Sequence, residues 1–415
     1  MNAAREWILL VDDDPAITES LAMMLEREGR TTLICADVDA AEILLERYPI
    51  THLVSDVQFS GEFGFEGLHF LSHAHRFAPR CRVVLMSGQV TEALDRTARC
   101  FGASEVLAKP FGMDELERAL GSRGIRDKGE YEIIRFPAAE EILASEELTV
   151  AFQPIVCVRE GSSEVFAYEA LARVPGEWMP GGPETLFKYA GKRDRLVELN
   201  LATLTRGFHG AAFLPGNPYL FVNLDPAVFT SRALVPTLRN ASERSGVSLA
   251  RTVLEVTEHS AFSDEEKAAL AFEQLRALGV RFALDDHASA YSHLALIDRI
   301  RPSFMKISNA FGTDFDTDTT RGRIVRHVVA LARDLGCEPI VEGIESEATA
   351  RAARELGVEL LQGYYYGRPN AAAHWVAAGV ASARPPVRTD HSREPHRLTD
   401  ACGVRRRASA FPSRA

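Results

Sequence analysis

Between Trp7 and Gly121, short apolar runs alternate with stretches whose apolar residues recur three and four positions apart. The runs "WILLV", "TTLIC", "THLVS", "CRVVLM" and "EVLA" are strand-length and bounded by polar or turn residues. The stretches between them, "PAITESLAMMLEREG", "DAAEILLERY", "GLHFLSHAHRF" and "TEALDRTARCFG", have the period of helices with one buried face. Five such repeats predict a doubly wound parallel sheet over residues 1–121, a (βα)5 unit with its functional residues at the carboxyl ends of the strands. The period is then lost through "GSRGIRDKGEYE", and residues 122–137 read as a linker.

A longer α/β run follows. "LTVAFQPIV" and "VFAYEALARV" lie close enough in sequence to pair antiparallel. "YLFVNL", "RTVLEVT", "VRFALDD", "FMKIS", "EPIVEG" and "ELLQGYYY" then alternate with helical segments. About 250 residues in such repeats is the size of one (β/α)8 TIM-like barrel, expected here over 138–383, with a second open sheet as the alternative. Residues 384–415 hold eight Arg against three acids without period, the composition of a disordered basic tail.

Composition narrows the classes. With 415 residues, 46% hydrophobic and 25% charged, the chain reads as globular, and it has no apolar run long enough to span a bilayer. "MNAAREWILLVDDD" lacks the features of a signal peptide, so a cytoplasmic location without membrane association is expected. The net charge of −11 argues against DNA as a partner and requires local cations for any anionic ligand. Six scattered cysteines without a CxxC pair read as reduced thiols.

Candidate chemistry stands at the strand ends. In the first unit Asp12 and Asp13 end the first strand, Asp56 the third, Ser87 the fourth and Lys109 the fifth. Three carboxylates suit one hard divalent cation, and a hydroxyl with an ammonium suits a phosphoryl group on a carboxylate. Taken singly, Asp12 to Asp14 before Pro15 could be helix caps and Ser87-Gly88 a turn. As an ordered set, "LLVDDDPAI", "HLVSDVQF", "VVLMSG" and "VLAKPF" resemble the receiver domain of bacterial response regulators. The resemblance implies that Asp56 takes a phosphoryl group from a cognate histidine kinase. Asp12, Asp13 and Asp56 would then hold Mg²⁺, and Ser87 and Lys109 would sense the phosphoryl group. Two departures stand out: "VQFSGEFGFEG" after Asp56 is longer than the family's turn, and Val106 replaces the usual aromatic residue.

In the second unit the strand ends carry Glu169, Asn223, Glu255, Asp285 with Asp286, Lys306, Glu342 and Gln362. An all-oxygen set of this size suits Mg²⁺ or Mn²⁺ rather than zinc, and adjacent aspartates can serve two ions about 3.5–4 Å apart. Each residue alone has a structural reading: Asp285-Asp286 could cap a helix, and Lys306 could snorkel to the surface. The ordered motifs "FQPIV", "EAL", "VNL", "EVTE", "LDD", "KIS", "EGIE" and "QGYYYGRP" resemble the EAL domain, the bacterial phosphodiesterase module for cyclic di-GMP.

The resemblance implies a barrel with one strand reversed. It implies a first metal on Glu169, Asn223, Glu255 and Asp285, and a second shared by Asp285, Asp286 and Glu342. Lys306 and Glu342 would act on the attacking water, Leu171, Arg173 and Gln362 would contact cyclic di-GMP, and Glu258 would anchor the loop after Asp286. A homodimer or higher oligomer is implied as well. That loop departs from the family: His287, Ala288, Ser289 and Ala290 replace Phe-Gly-Thr-Gly, and Ser308 replaces an Asp. Alanine at a position needing positive φ costs about 1 kcal/mol or more. The expected function is a response regulator hydrolysing cyclic di-GMP to pGpG, gated by receiver phosphorylation. The alternative is a weak or inactive EAL domain that acts as a cyclic di-GMP receptor or a protein-interaction module.

Overall fold

The computed structural model describes residues 5–27, 29–57, 66–121, 132–159, 162–176, 182–257, 262, 264–285, 297, 299–308 and 315–377. The chain divides into two compact units, one of residues 1–148 with 173–195 and the other of 149–172 with 196–415.

In the first unit β1 (Glu6–Val11), β2 (Arg30–Cys35), β3 (His52–Asp56), β4 (Arg82–Ser87) and β5 (Glu105–Ala108) alternate with α1 (Pro15–Met24), α2 (Val38–Arg47), α3 (Glu66–Phe77), α4 (Glu92–Cys100) and α5 (Met113–Leu120). The helix starts follow local chemistry. Asp14 accepts the Ala16 amide ahead of Pro15, Asp37 accepts the Ala40 amide, and Thr91 caps α4. Apolar residues of β1, β3 and β4, among them Ile8, Leu10, Val54, Val84 and Met86, pack on Leu21, Leu116 and Leu120. With β6 (Glu132–Arg135) at one edge, the strand order is β5-β4-β3-β1-β2-β6. The order reverses between β1 and β3, so the carboxyl ends of those two strands flank the crevice where such sheets bind ligands.

Strand β6 (Glu132–Arg135) lies inside the stretch expected to be linker and pairs in parallel with β2, from Thr31↔Glu132 to Ile34↔Arg135. It leads to α6 (Ala139–Ala144). Also in this unit is α7 (Pro183–Lys192), which lies against α2. Lys188 pairs with Glu46 and Lys192 with Glu42, while Tyr189, fully buried, donates to Asp37 at 2.6 Å. The Tyr189 ring meets Phe136 edge-on at 5.1 Å.

The second unit is a closed eight-stranded barrel, the TIM-like fold expected from the repeats. Its strands are β7 (Thr149–Arg159), β8 (Ser162–Arg173), β9 (Tyr219–Leu224), β10 (Thr252–Thr257), β11 (Arg281–Asp285), β12 (Phe304–Ile307), β13 (Glu338–Val341) and β14 (Leu360–Gln362). Neighbours from β8 to β14 pair in parallel, whereas β7 runs antiparallel to β14. The helices α8 (Leu196–Ala211), α9 (Leu234–Ser245), α10 (Glu265–Ala277), α11 (Thr320–Asp334), α12 (Glu347–Glu355) and α13 (Ala372–Ala377) accompany the strands.

Strand alternation sorts the side chains. Ile155, Ala167, Phe221, Val253, Ala283, Phe304, Ile340 and Leu360 form a cluster inside the barrel. Tyr168, Leu220, Leu254, Met305, Val341 and Leu361 face the helices. Each fully buried side chain of the Phe or Leu kind contributes about 1.5–3 kcal/mol. No helix among the described residues is long and apolar enough to cross a membrane. Among the described residues Cys35, Cys81, Cys100 and Cys337 are free thiols.

Candidate functional site

On each parallel strand, two residues beyond its contribution to the interior cluster, the same face carries a polar side chain. On β8 to β14 the pairs are Ala167 and Glu169, Phe221 and Asn223, Val253 and Glu255, Ala283 and Asp285, Phe304 and Lys306, Ile340 and Glu342, and Leu360 and Gln362. The period of two therefore lifts seven polar groups into one layer above an apolar floor.

Lys306 is the centre of that layer. Its side chain is 1% exposed, and its ammonium lies 2.7 Å from Glu342, 2.8 Å from Glu255 and 3.4 Å from both Glu169 and Asp285. The lysine is thus buried rather than snorkelled to the surface. Asn223 donates to Glu169 at 2.7 Å, and Gln362 donates to its other oxygen at 2.6 Å.

Four carboxylates against one ammonium leave three excess negative charges when all are ionised (−4 + 1 = −3). Burial opposes the Lys306 charge, but Asp285, Glu169, Glu255 and Glu342 outweigh it and hold its pKa well above the usual lysine range. Burial also works against Glu169, yet Lys306, Gln362 and Asn223 bring its pKa below the usual value. For Glu255 burial and the neighbouring Glu169 charge push the pKa well up, and burial raises Glu342 to about 8. One oxygen of Glu255 and one of Gln362 are buried with no hydrogen-bond partner. Excess buried carboxylate charge with an orphaned oxygen fits divalent cations, which such a site otherwise replaces by protons.

The sequence motifs did not single out Gln153. Strand β7 is antiparallel, so its member of the polar layer stands two residues before Ile155 rather than two after. Gln153 donates to the Gly367 carbonyl at 3.1 Å and accepts from Gln362 at 3.3 Å, which holds Gln362 against Glu169. Counting backward on the reversed strand would have found it. Gly363 contributes to the same arrangement: a Cβ there would lie 2.1 Å from the Ile344 carbonyl oxygen. The close approach lets Ile344 donate to the Gln362 carbonyl at 3.0 Å. Leu171 and Arg173 lie on β8 beyond Glu169. Asp286, Glu258 and residues 287–294 lie outside the described residues.

In the first unit Asp12, Asp13 and Asp56 each offer an oxygen within 4.8 Å of the others. Lys109 donates to Asp12 at 2.7 Å and to Asp56 at 3.1 Å. Burial raises the Asp12 pKa, and the Lys109 bond only partly offsets it. Burial opposes the Lys109 charge, but its bonds to Asp12 and Asp56 prevail and raise its pKa. The buried Ser87 hydroxyl donates to the Gln89 carbonyl at 3.0 Å. Val106 sits on β5, half-buried, and residues 58–65 after Asp56 lie outside the described residues.

A doubly wound sheet with an acid-and-lysine crevice, joined in one chain to a TIM-like barrel with a carboxylate layer, defines a two-domain protein of receiver and barrel. Family models agree: the EAL domain matches residues 138–369 and the response regulator receiver domain residues 8–121. The chain belongs to the EAL family and carries a receiver domain. It is similar to the bifunctional diguanylate cyclase/cyclic di-GMP phosphodiesterase MucR of Pseudomonas aeruginosa, 36% identical over 157 residues, which are 38% of this chain and 23% of MucR. It spans 23% to 30% of the length of three of its curated relatives. With the cyclic di-GMP phosphodiesterase RocR of the same organism it is 25% identical over 387 residues, 89% of this chain and 97% of RocR. The solved EAL enzyme Bd1971, in a form bound to cAMP and cyclic di-GMP, has a TM-score of 0.52 at 21% identity over 58% of this chain and 66% of that one. That likeness speaks for the fold.

Proposed function

We propose that the chain is a two-component response regulator whose barrel hydrolyses cyclic di-GMP to linear pGpG, with a histidine kinase as phosphodonor to Asp56. The observation that carries the reading is the buried layer of four carboxylates around Lys306, flanked by two amides. The similarity to RocR across 97% of that phosphodiesterase supports it.

Glu169, Asn223, Glu255, Asp285 and Glu342, with Asp286, would hold two Mg²⁺ or Mn²⁺ ions, and Asp12, Asp13 and Asp56 one in the receiver. Such ions, when bound, polarise a phosphate ester and lower the pKa of water. The chain's own groups do the rest. Asn223 and Gln362 fix the two oxygens of Glu169, and Gln153 fixes Gln362. Lys306 keeps its proton among the carboxylates and offers hydrogen bonds at the point of attack. Glu342, which takes up a proton readily, is suited to exchange one with the attacking water. Arg173 grips a phosphate by charge-assisted bonds, with Leu171 beside it on β8.

A second reading, a cyclic di-GMP receptor without turnover, is favoured by one observation: Ala288 and Ala290 stand where the family has glycines. The test is release of pGpG with Mg²⁺ or Mn²⁺, before and after treatment with an acyl phosphate. Binding without turnover in both conditions selects the receptor, and no binding leaves the interaction module. Sedimentation would test the proposed dimer.

A further inference from the structure

Strand β7 ends at Arg159 and β8 begins at Ser162, so no crossover helix stands between them. Beside this strand pair and α12 the barrel unit holds a cavity of about 350 Å³. That volume is at the small end of ligand sites, which run from about 300 to 1,000 Å³. Of the described residues that line it, none belongs to the polar layer around Lys306.

Its walls carry a donor set without a use in the barrel site. Arg351 and Arg354 of α12, Arg159 of β7 and the hydroxyls of Ser162 and Ser163 line it. Three guanidiniums against the one carboxylate of Glu347 leave an excess of two positive charges in the lining (+3 − 1 = +2), in a chain of net charge −11. Arg159 is drawn to Glu359 at 3.6 Å, whereas Arg351 and Arg354 form no ion pair among the described residues. Guanidinium forks with hydroxyls beside them match the oxygens of a phosphate group. Tyr365 and Tyr366 complete the lining, their rings edge-on at 5.0 Å. The side chain of Tyr365 is 47% exposed, and an aromatic face of that kind is a platform on which a base stacks. Burial raises the Tyr366 pKa to about 12 against the opposing charge of Arg354, so its hydroxyl stays a donor near neutral pH.

We propose that this cavity is a second ligand site of the barrel, for a nucleoside monophosphate, with Arg351 and Arg354 on the phosphate and Tyr365 against the base. The proposal is independent of the phosphodiesterase reading. Tyr365 and Tyr366 stand three and four residues after Gln362, and α12 begins five residues after Glu342. An occupant therefore rests against two segments that lead directly from the polar layer.

The test is calorimetric titration of the full chain in EDTA with AMP, GMP and inorganic phosphate, beside hydrogen exchange of residues 347–355. At least one of the nucleotides is expected to bind the native chain and to protect α12, and to bind Glu169→Ala equally well, because Glu169 belongs to the other site. Arg351→Ala with Arg354→Ala should weaken that binding at least tenfold. Arg351→Lys with Arg354→Lys, which keeps the charge and the helix, should retain part of it, which separates loss of the site from loss of the fold. Tyr365→Ala should weaken the nucleotide severalfold and leave phosphate unchanged. The proposal is overturned if neither nucleotide binds the native chain, if the double alanine variant binds as the native chain does, or if Glu169→Ala abolishes binding. Phosphate that binds as tightly as the nucleotides, or nucleotide binding indifferent to Tyr365→Ala, overturns the nucleotide as the ligand.

Discussion

Lys306→Met tests whether one buried ammonium holds the barrel's carboxylates together. Methionine keeps the length and flexibility of the side chain but removes the charge that lies within 3.4 Å of four carboxylates. Stranding a buried charge by deleting its partner costs about 3–5 kcal/mol. The carboxylates can escape part of that cost by taking up protons, since burial already raises Glu255 well above its usual range and Glu342 to about 8. A group whose folded-state pKa is raised favours the fold below its unfolded value and loses that contribution as pH rises through the folded pKa. The substitution is therefore expected to cost more at pH 8 than at pH 6. One proton shifted across two pH units is worth about 2.7 kcal/mol. Hydrogen exchange of β10 and β12 amides, in EDTA, reads the opening of the barrel by itself. Protection at pH 8 should fall by about a hundredfold to a few thousandfold, at about 1.4 kcal/mol per factor of ten, and by clearly less at pH 6. Equal losses at the two pH values, or a loss under tenfold at pH 8, would refute Lys306 as the counter-ion.

Metal binding should displace the proton that Glu342 holds below a pKa of about 8, so Mn²⁺ affinity should rise from pH 6.5 to 8.5. Calorimetry in two buffers of different ionisation enthalpy checks this, and buffer-independent heats would contradict it. Gly363→Ala places a Cβ against the Ile344 carbonyl; it should lower barrel stability by about 1–3 kcal/mol and weaken cyclic di-GMP binding, and unchanged melting would count against it. Asp56→Asn should abolish phosphoryl uptake from an acyl phosphate by intact mass while leaving the receiver folded, whereas retained uptake would move the acceptor elsewhere.

Most of the fold was legible because the signals are local. Apolar runs ending in Asp12, Asp56, Glu255 or Asp285 declare both a strand and its functional end. The number of repeats suited a barrel but left an open sheet as the alternative, and closure shows only in the pairing of β14 with β7. Other features depend on partners distant in sequence. Strand β6 has four residues with charged ends, no period to detect, and exists through its pairing with β2. Gln153 joins the polar layer only because β7 is reversed. Tyr189 and Asp37 are 152 residues apart, and nothing in the α7 pattern says which acidic helix will face it. That Lys306 is enclosed rather than at the surface follows from the convergence of β8, β10, β11 and β13 around β12, which no single strand reveals.

If the barrel's carboxylate layer breaks a phosphodiester bond of cyclic di-GMP, linear pGpG is the product. The most direct measurement is chromatographic detection of pGpG from cyclic di-GMP and the full chain with Mg²⁺ or Mn²⁺, with and without acyl phosphate, beside Glu169→Ala. The expected result is pGpG that depends on the metal and disappears with Glu169→Ala. Tight binding of cyclic di-GMP with no pGpG under any of these conditions would contradict it.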